Sequence, residues 1–118
     1  MRMPIRVKRV YEKPAKTDGS RVLVDRLWPR GVTKAEARIT YWAKDIAPSN
    51  ELRRWFHEDP EHRFKDFEKQ YVSELKKKRA HIKSDIEPYK NSFTLVTAVK
   101  DIEHSHIPTL RSFLGRFL

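Results

Sequence analysis

The chain contains no cysteine, so disulfides, thiolate nucleophiles and cysteine-ligated zinc or iron-sulfur sites are excluded and the fold must rest on packing. Glycine is nearly as scarce, at three residues in 118, which leaves little material for a backbone phosphate cradle. No Walker loop, glycine-rich dinucleotide turn or zinc-finger pattern occurs. No run approaches the length of a membrane span, and Met1-Arg2-Met3-Pro4-Ile5-Arg6 carries charge where a signal peptide needs an apolar core. These absences give the expectation of a cytoplasmic protein with no membrane attachment. Acid is in the minority: 16 Asp and Glu stand against 26 Lys and Arg, a formal charge of +10. That balance favours anionic partners such as phosphorylated metabolites, nucleic acid or acidic surfaces.

The length suits one domain, residues 1–118, with no internal repeat and no low-complexity linker. Residues 5–11 alternate Ile5 and Val7 with Arg6 and Lys8, the two-residue period of an edge or near-edge strand. Residues 12–20, with Pro14 and Asp18-Gly19, read as a surface loop. Val22-Leu23-Val24 is apolar throughout and predicts a central strand buried on both faces. Thr33 and Glu36 have the spacing of a capping box that opens a short helix. Ser49 or Asn50 can cap a second helix, ending near Glu58, in which Leu52, Trp55 and Phe56 share a face. Asp59 as N-cap and Pro60 at the first position open the longest helix, with Phe64, Phe67, Tyr71, Leu75 and Ile82 as its buried stripe. Residues 93–99 form another β-rich run, followed by Ile107, Leu110, Leu114 and Phe117 at helical spacing. Strands separated by helices imply crossovers, hence a small three-layer α/β/α domain with a mainly parallel central sheet.

If residues 22–24 and 93–99 run parallel, Asp25-Arg26 and Lys100-Asp101 emerge at one carboxyl edge, where open α/β sheets bind ligands. Arg26 and Arg30 offer planar forks for phosphate or carboxylate, Lys100 a compact cation, and Asp25 or Asp101 a base. Trp28, between the two arginines, offers a wall for a nucleobase or an internal cation-π stack. The bland alternative is that Asp101 only caps the terminal helix and Asp25 only pairs with Arg26 or nearby amides. His57 and His106 are candidate acids, bases or anion donors. Glu103, His104 and His106 do not make a metal site, since His104 and His106 would diverge on a helix. The sequence leaves the identity of any cofactor open. The run Lys76-Lys77-Lys78-Arg79 spreads around a helix and reads first as a solvated face, with nucleic-acid binding as the alternative.

Arg21-Val22-Leu23-Val24-Asp25-Arg26-Leu27-Trp28-Pro29-Arg30-Gly31 resembles the signature of the YeaO-like group within the family designated domain of unknown function 488. The likeness continues through Lys8-Arg9-Val10-Tyr11, Asp18-Gly19, Trp42, Lys44-Asp45-Ile46-Ala47-Pro48-Ser49, Glu51-Leu52-Arg53, Phe56-His57 and Ala98-Val99-Lys100-Asp101 with His106. The resemblance implies a compact α/β protein with no assigned activity, and it groups Trp42, Asp45, Ser49, Arg53 and His57 with the strand-end cluster. Ser105-His106 stands where relatives often carry Asn-His, which weakens any role needing an amide there. Some relatives carry a transcription-regulator label, but no helix-turn-helix pattern is legible here. The resulting expectation is a pocket for a phosphorylated or nucleotide-like anion, open to enzymatic use with Asp25, Lys100 and Asp101 as the catalytic candidates, and with a nucleic-acid-binding surface as the alternative.

Overall fold

A computed structural model describes residues 5–116. Four strands, β1 (Arg6–Arg9), β2 (Ser20–Leu23), β3 (Tyr41–Trp42) and β4 (Phe93–Thr97), form one sheet in the order β1-β4-β2-β3. Every neighbouring pair is parallel, with Val22 opposite Leu95 and Leu23 opposite Val96. The predicted parallel pairing of the two apolar runs is therefore present, with β2 inside the sheet and β1 at its edge. The two-residue β3 is too short to announce itself by alternation, and sequence reasoning missed it.

The helices are α1 (Lys34–Ala37), α2 (Asn50–Glu58), α3 (Pro60–Lys77), α4 (Arg79–Ile86) and α5 (Ile107–Gly115). The Thr33 capping box forms as its spacing predicts: the Thr33 hydroxyl accepts the Glu36 amide, and the Glu36 carboxylate accepts the Thr33 amide. Ser49 caps α2 by accepting the Leu52 amide. Pro60 opens α3, but the Asp59 carboxylate contacts the His62 ring instead of capping. The long helix does not run on to Ile82. Lys78 leaves helical geometry and its ammonium donates to the Asp45 carbonyl, so Ile82 and Ile86 join the core from α4. Phe117 of the expected terminal stripe lies outside the described residues.

The layers on the two faces of the sheet are unequal. Val22, Leu95 and half-buried Val7 pack against Phe56, Phe67, Tyr71, Leu75, Ile86, Leu110 and Leu114, so α2 to α5 all cover one face. Leu23 and Val96 point the other way, against Val10, Ala37 of the short α1 and the half-buried Trp28 and Trp42. The rest of this second face is polar. Asp18, 5% exposed, closes over it, and its carboxylate accepts from Arg21 (2.7 Å), Lys8 (3.2 Å) and the Ala15 amide (3.0 Å). Arg6 and Thr94 both donate to the Asp18 carbonyl, and Arg21 Nε donates to the Ala37 carbonyl. A charged turn thus does on this face what a second helix does elsewhere in α/β folds. Gly19 follows at φ 64°, a left-handed conformation where a side chain would also collide with Ser92.

Burial raises the pKa of the Asp18 carboxyl, but the Ala15 amide, Lys8 and Arg21 outweigh it and leave the group below its ordinary 3.8. The stability it contributes is therefore full above pH 3.8 and is lost as pH falls through the folded value. Asp18→Asn leaves two cations without their counter-charge, one of them buried, and should cost about 3 kcal/mol in urea unfolding at neutral pH. The difference between the variant and the native protein should shrink in acid. A variant that unfolds at the native midpoint would show that the cluster is not holding the second face.

Candidate functional site

Beyond β2 and β4 the two chains separate, and side chains take over the backbone groups that neighbouring strands no longer satisfy. The Asp25 carboxylate accepts from the Thr97 hydroxyl and the Ala98 amide, both at 2.7 Å. Thr97 Oγ1 in turn accepts the Val99 amide, and Arg9 donates to the carbonyls of Ala98 and Val99. Trp42 Nε1 donates to the Asp25 carbonyl (2.8 Å), and His106 Nε2 lies 3.0 Å from the Val24 carbonyl. Arg26 donates to the carbonyls of Pro48 and Ala47 at the entry to α2. Each separating segment is satisfied sideways, and a hollow is left between them.

That hollow is a cavity of about 680 Å³. It is lined by Asp25, Arg26, Trp28, Arg30, Arg53, His57, Lys100, Asp101 and His106 of the sequence-predicted set, with apolar side chains between them. The strand ends and one side of α2 therefore do come together. Three predicted residues require correction, because they do not line the cavity. Trp42 lies on the second face, edge-on to Trp28 at 5.4 Å with Lys44 over its ring, and supports the cavity wall from behind. Asp45 is exposed and borders a separate narrow cleft beside Tyr41 and Asp85. Ser49 is a helix cap held by the Glu74 carboxylate through its amide (2.9 Å) and hydroxyl (2.6 Å).

Within the cavity the charges divide into committed and uncommitted groups. Arg26 has two donors fixed on backbone carbonyls, so its fork is structural. Both oxygens of Asp25 are engaged, and exposed Asp101 contacts His104 at 2.9 Å. Trp28 donates Nε1 to the Val32 carbonyl and presents its ring as wall, without the cation-π stack on Arg26 or Arg30 that was one alternative. Arg30 and Lys100 stand exposed at the rim. Half-buried Arg53 is different: its Nε is buried and has no hydrogen-bond partner. An unpaired buried guanidinium donor is costly.

His106, 8% exposed, is the most buried titratable group in the lining. Burial depresses its pKa more than nearby Asp25, at 3.5 Å, and the Val24 carbonyl raise it, so it lies below 6.5. Since a carbonyl only accepts, the neutral ring carries its proton on Nε2 and keeps Nδ1 as an acceptor. Tyr71, edge-on to this ring, donates its hydroxyl to the Ile46 carbonyl, and burial holds that hydroxyl well above its usual pKa. Ser105 Oγ accepts the Ile107 amide at the start of α5 and donates to the Ile102 carbonyl, so the hydroxyl fills a local capping role.

A family model described as the inactive DUF488-N3 subclade matches residues 4–118. The chain belongs to the DUF488 family, in its YeaO-like group. This DUF488 chain is 43% identical over 111 residues to an uncharacterized protein of Mycobacterium tuberculosis, covering 94% of the chain and 93% of the relative. It is 39% identical over 114 residues to the uncharacterized protein YeaO of Escherichia coli K12, covering 95% and 97%. No solved structure matches it.

Sequence reasoning missed Glu74, the Ala47-Pro48 carbonyls and Arg9 as supports of the site. Glu74 had a signal: it sits three residues after Tyr71 on the buried side of α3, where a carboxylate needs a partner. The Lys76–Arg79 run is broken by the end of α3, with half-buried Lys78 turned to the Asp45 carbonyl. Among the described residues no helix is long and apolar enough to cross a membrane, and no three His, Asp or Glu gather as a metal would require.

With its folded pKa depressed, His106 leaves stability full above pH 6.5 and erodes it as pH falls towards the folded value. Ring resonances followed by NMR should show the Nε2-protonated tautomer at neutral pH and a midpoint below 6.5. A midpoint above that value would mean that Asp25, not burial, governs the ring.

Proposed function

We propose that the cavity at the carboxyl edge of the sheet binds a small organic anion, phosphorylated or nucleotide-like, and that it does so as a binding site. The observation that carries this reading is Arg53, a half-buried cation in the lining of a cavity large enough for a metabolite, with its Nε unpartnered among the described residues. His57, one turn further along α2, adds a second donor on the same wall. Arg30 and Lys100 at the rim, with the chain's net charge of +10, favour approach of an anion.

The chemistry of the lining supports binding more than turnover. A nucleophile needs an oriented base beside it. Here the Ser105 hydroxyl is committed to the helix start, Thr97 to Asp25, and Asp25 to a hydroxyl and an amide. The description of the matching family as an inactive subclade agrees with that distribution. Asp101 and Lys100, expected as candidate catalytic groups, serve in this reading at the rim, where they tune the charge of the entrance.

Calorimetric titration with AMP tests the proposal, with thermal shift as the cheaper screen because a native-state ligand raises apparent stability. Saturable binding is expected, and Arg53→Gln should weaken it by roughly tenfold or more, as loss of a hydrogen bond to a charged group implies. No folded-state bond of the Arg53 guanidinium is broken by that change. Absence of binding by AMP, a ribose monophosphate and inorganic phosphate, or equal affinity in the variant, would overturn the proposal.

A further inference from the structure

The geometry points to a more specific ligand: one with a single anionic head and a flat apolar or aromatic body, such as a nucleoside monophosphate, rather than a polyphosphate or a sugar phosphate. This rests on the anion-binding reading of the same cavity and concerns which anion it takes.

The first observation is what the lining is made of. Between the charged groups lie Pro48, Phe56, Phe67, Val99 and the ring of Trp28, and apolar surface dominates the wall. A sugar phosphate offers hydroxyls along its whole length and would leave them against carbon without partners. A flat apolar body would bury instead of strand its surface there.

The second observation is at the mouth. Leu27 is 65% exposed and Tyr11 51% exposed, and they are the two large apolar side chains most open to solvent among the described residues. Both line this cavity. Scattered exposed apolar residues are ordinary, but two that border the same hollow make its mouth more apolar. The Tyr11 ring is held in place by its hydroxyl on the Arg30 carbonyl and by the Arg9 guanidinium at 5.1 Å. An aromatic body reaching this mouth would cover apolar surface that water otherwise wets.

The third observation limits the charge. Arg26 is committed to carbonyls, and the half-buried cation left in the lining is Arg53. Arg30 and Lys100 are exposed, so salt screens them. None of the three glycines lines the cavity, so no glycine-based backbone nest is present to hold a phosphate chain. One head group is what the interior can satisfy.

The test compares four probes by calorimetry at physiological salt: AMP, ATP, a ribose monophosphate and anilinonaphthalene sulfonate. AMP and the naphthalene sulfonate should bind at least about tenfold tighter than the ribose monophosphate, the gain expected from burying an aromatic body. ATP should be no more than about threefold tighter than AMP, since screened rim charges add little. Leu27→Gln, at an exposed position that leaves the fold undisturbed, should weaken AMP about fivefold and leave the ribose monophosphate unchanged. A ribose monophosphate that matches AMP, ATP tighter by tenfold, or an AMP affinity indifferent to Leu27→Gln overturns the inference while the anion site stands. Failure of all four probes to bind overturns both readings.

Discussion

The Asp25 carboxylate, bonded at 2.7 Å to the Thr97 hydroxyl and at 2.7 Å to the Ala98 amide, is the interaction on which the site depends. Parallel strands deliver their carboxyl ends to one edge, but the chain must then diverge, and divergence leaves amides and carbonyls without a neighbouring strand. Asp25 bridges the gap at the moment of separation. Around it the same solution recurs: Trp42 for the Asp25 carbonyl, His106 for that of Val24, Arg9 for those of Ala98 and Val99, and Arg26 for those of Ala47 and Pro48. The cavity exists because the backbone around it is satisfied by side chains instead of being filled by another strand.

That economy of partners also explains which residues remain for a ligand. Groups closest to the sheet edge are consumed by the framework, so the charges that look most suggestive in the chain are the least available. Arg53, a turn into α2, is not drawn into that framework. Ser49 and Glu74 fix the start of α2 against α3 and thereby fix where Arg53 and His57 stand. The aromatic wall is supported similarly, with Trp42 behind Trp28 and Val32 holding the Trp28 indole.

Much of this was legible in the chain. Val22-Leu23-Val24 and the β-rich run beginning at Phe93 declared two buried strands, and their parallel pairing placed Asp25 and Ala98 side by side. Capping by Thr33 and Ser49 followed from local spacing, since cap chemistry is set within four residues. What stayed hidden depends on long-range contacts. No local pattern says that Arg26 reaches carbonyls 21 and 22 residues away, or that Lys78 ends α3 by turning to Asp45. Nor does any local pattern reveal that a turn ending in Asp18, rather than a second long helix, covers part of the other face of the sheet. The grouping of Trp42, Asp45 and Ser49 with the pocket failed for a related reason: residues near a site can all be needed for it while only some of them face it.

Amide hydrogen exchange at Ala98, read by NMR, reports on the Asp25 carboxylate–amide bond itself. Ala98 lies just past the end of β4, so a free loop amide there would exchange quickly. Protection comparable to that of the β4 amides is expected, because the Asp25 carboxylate holds this hydrogen. Exchange at the rate of an unstructured loop would contradict it, and with it the latch that keeps the two strand ends around a shared cavity.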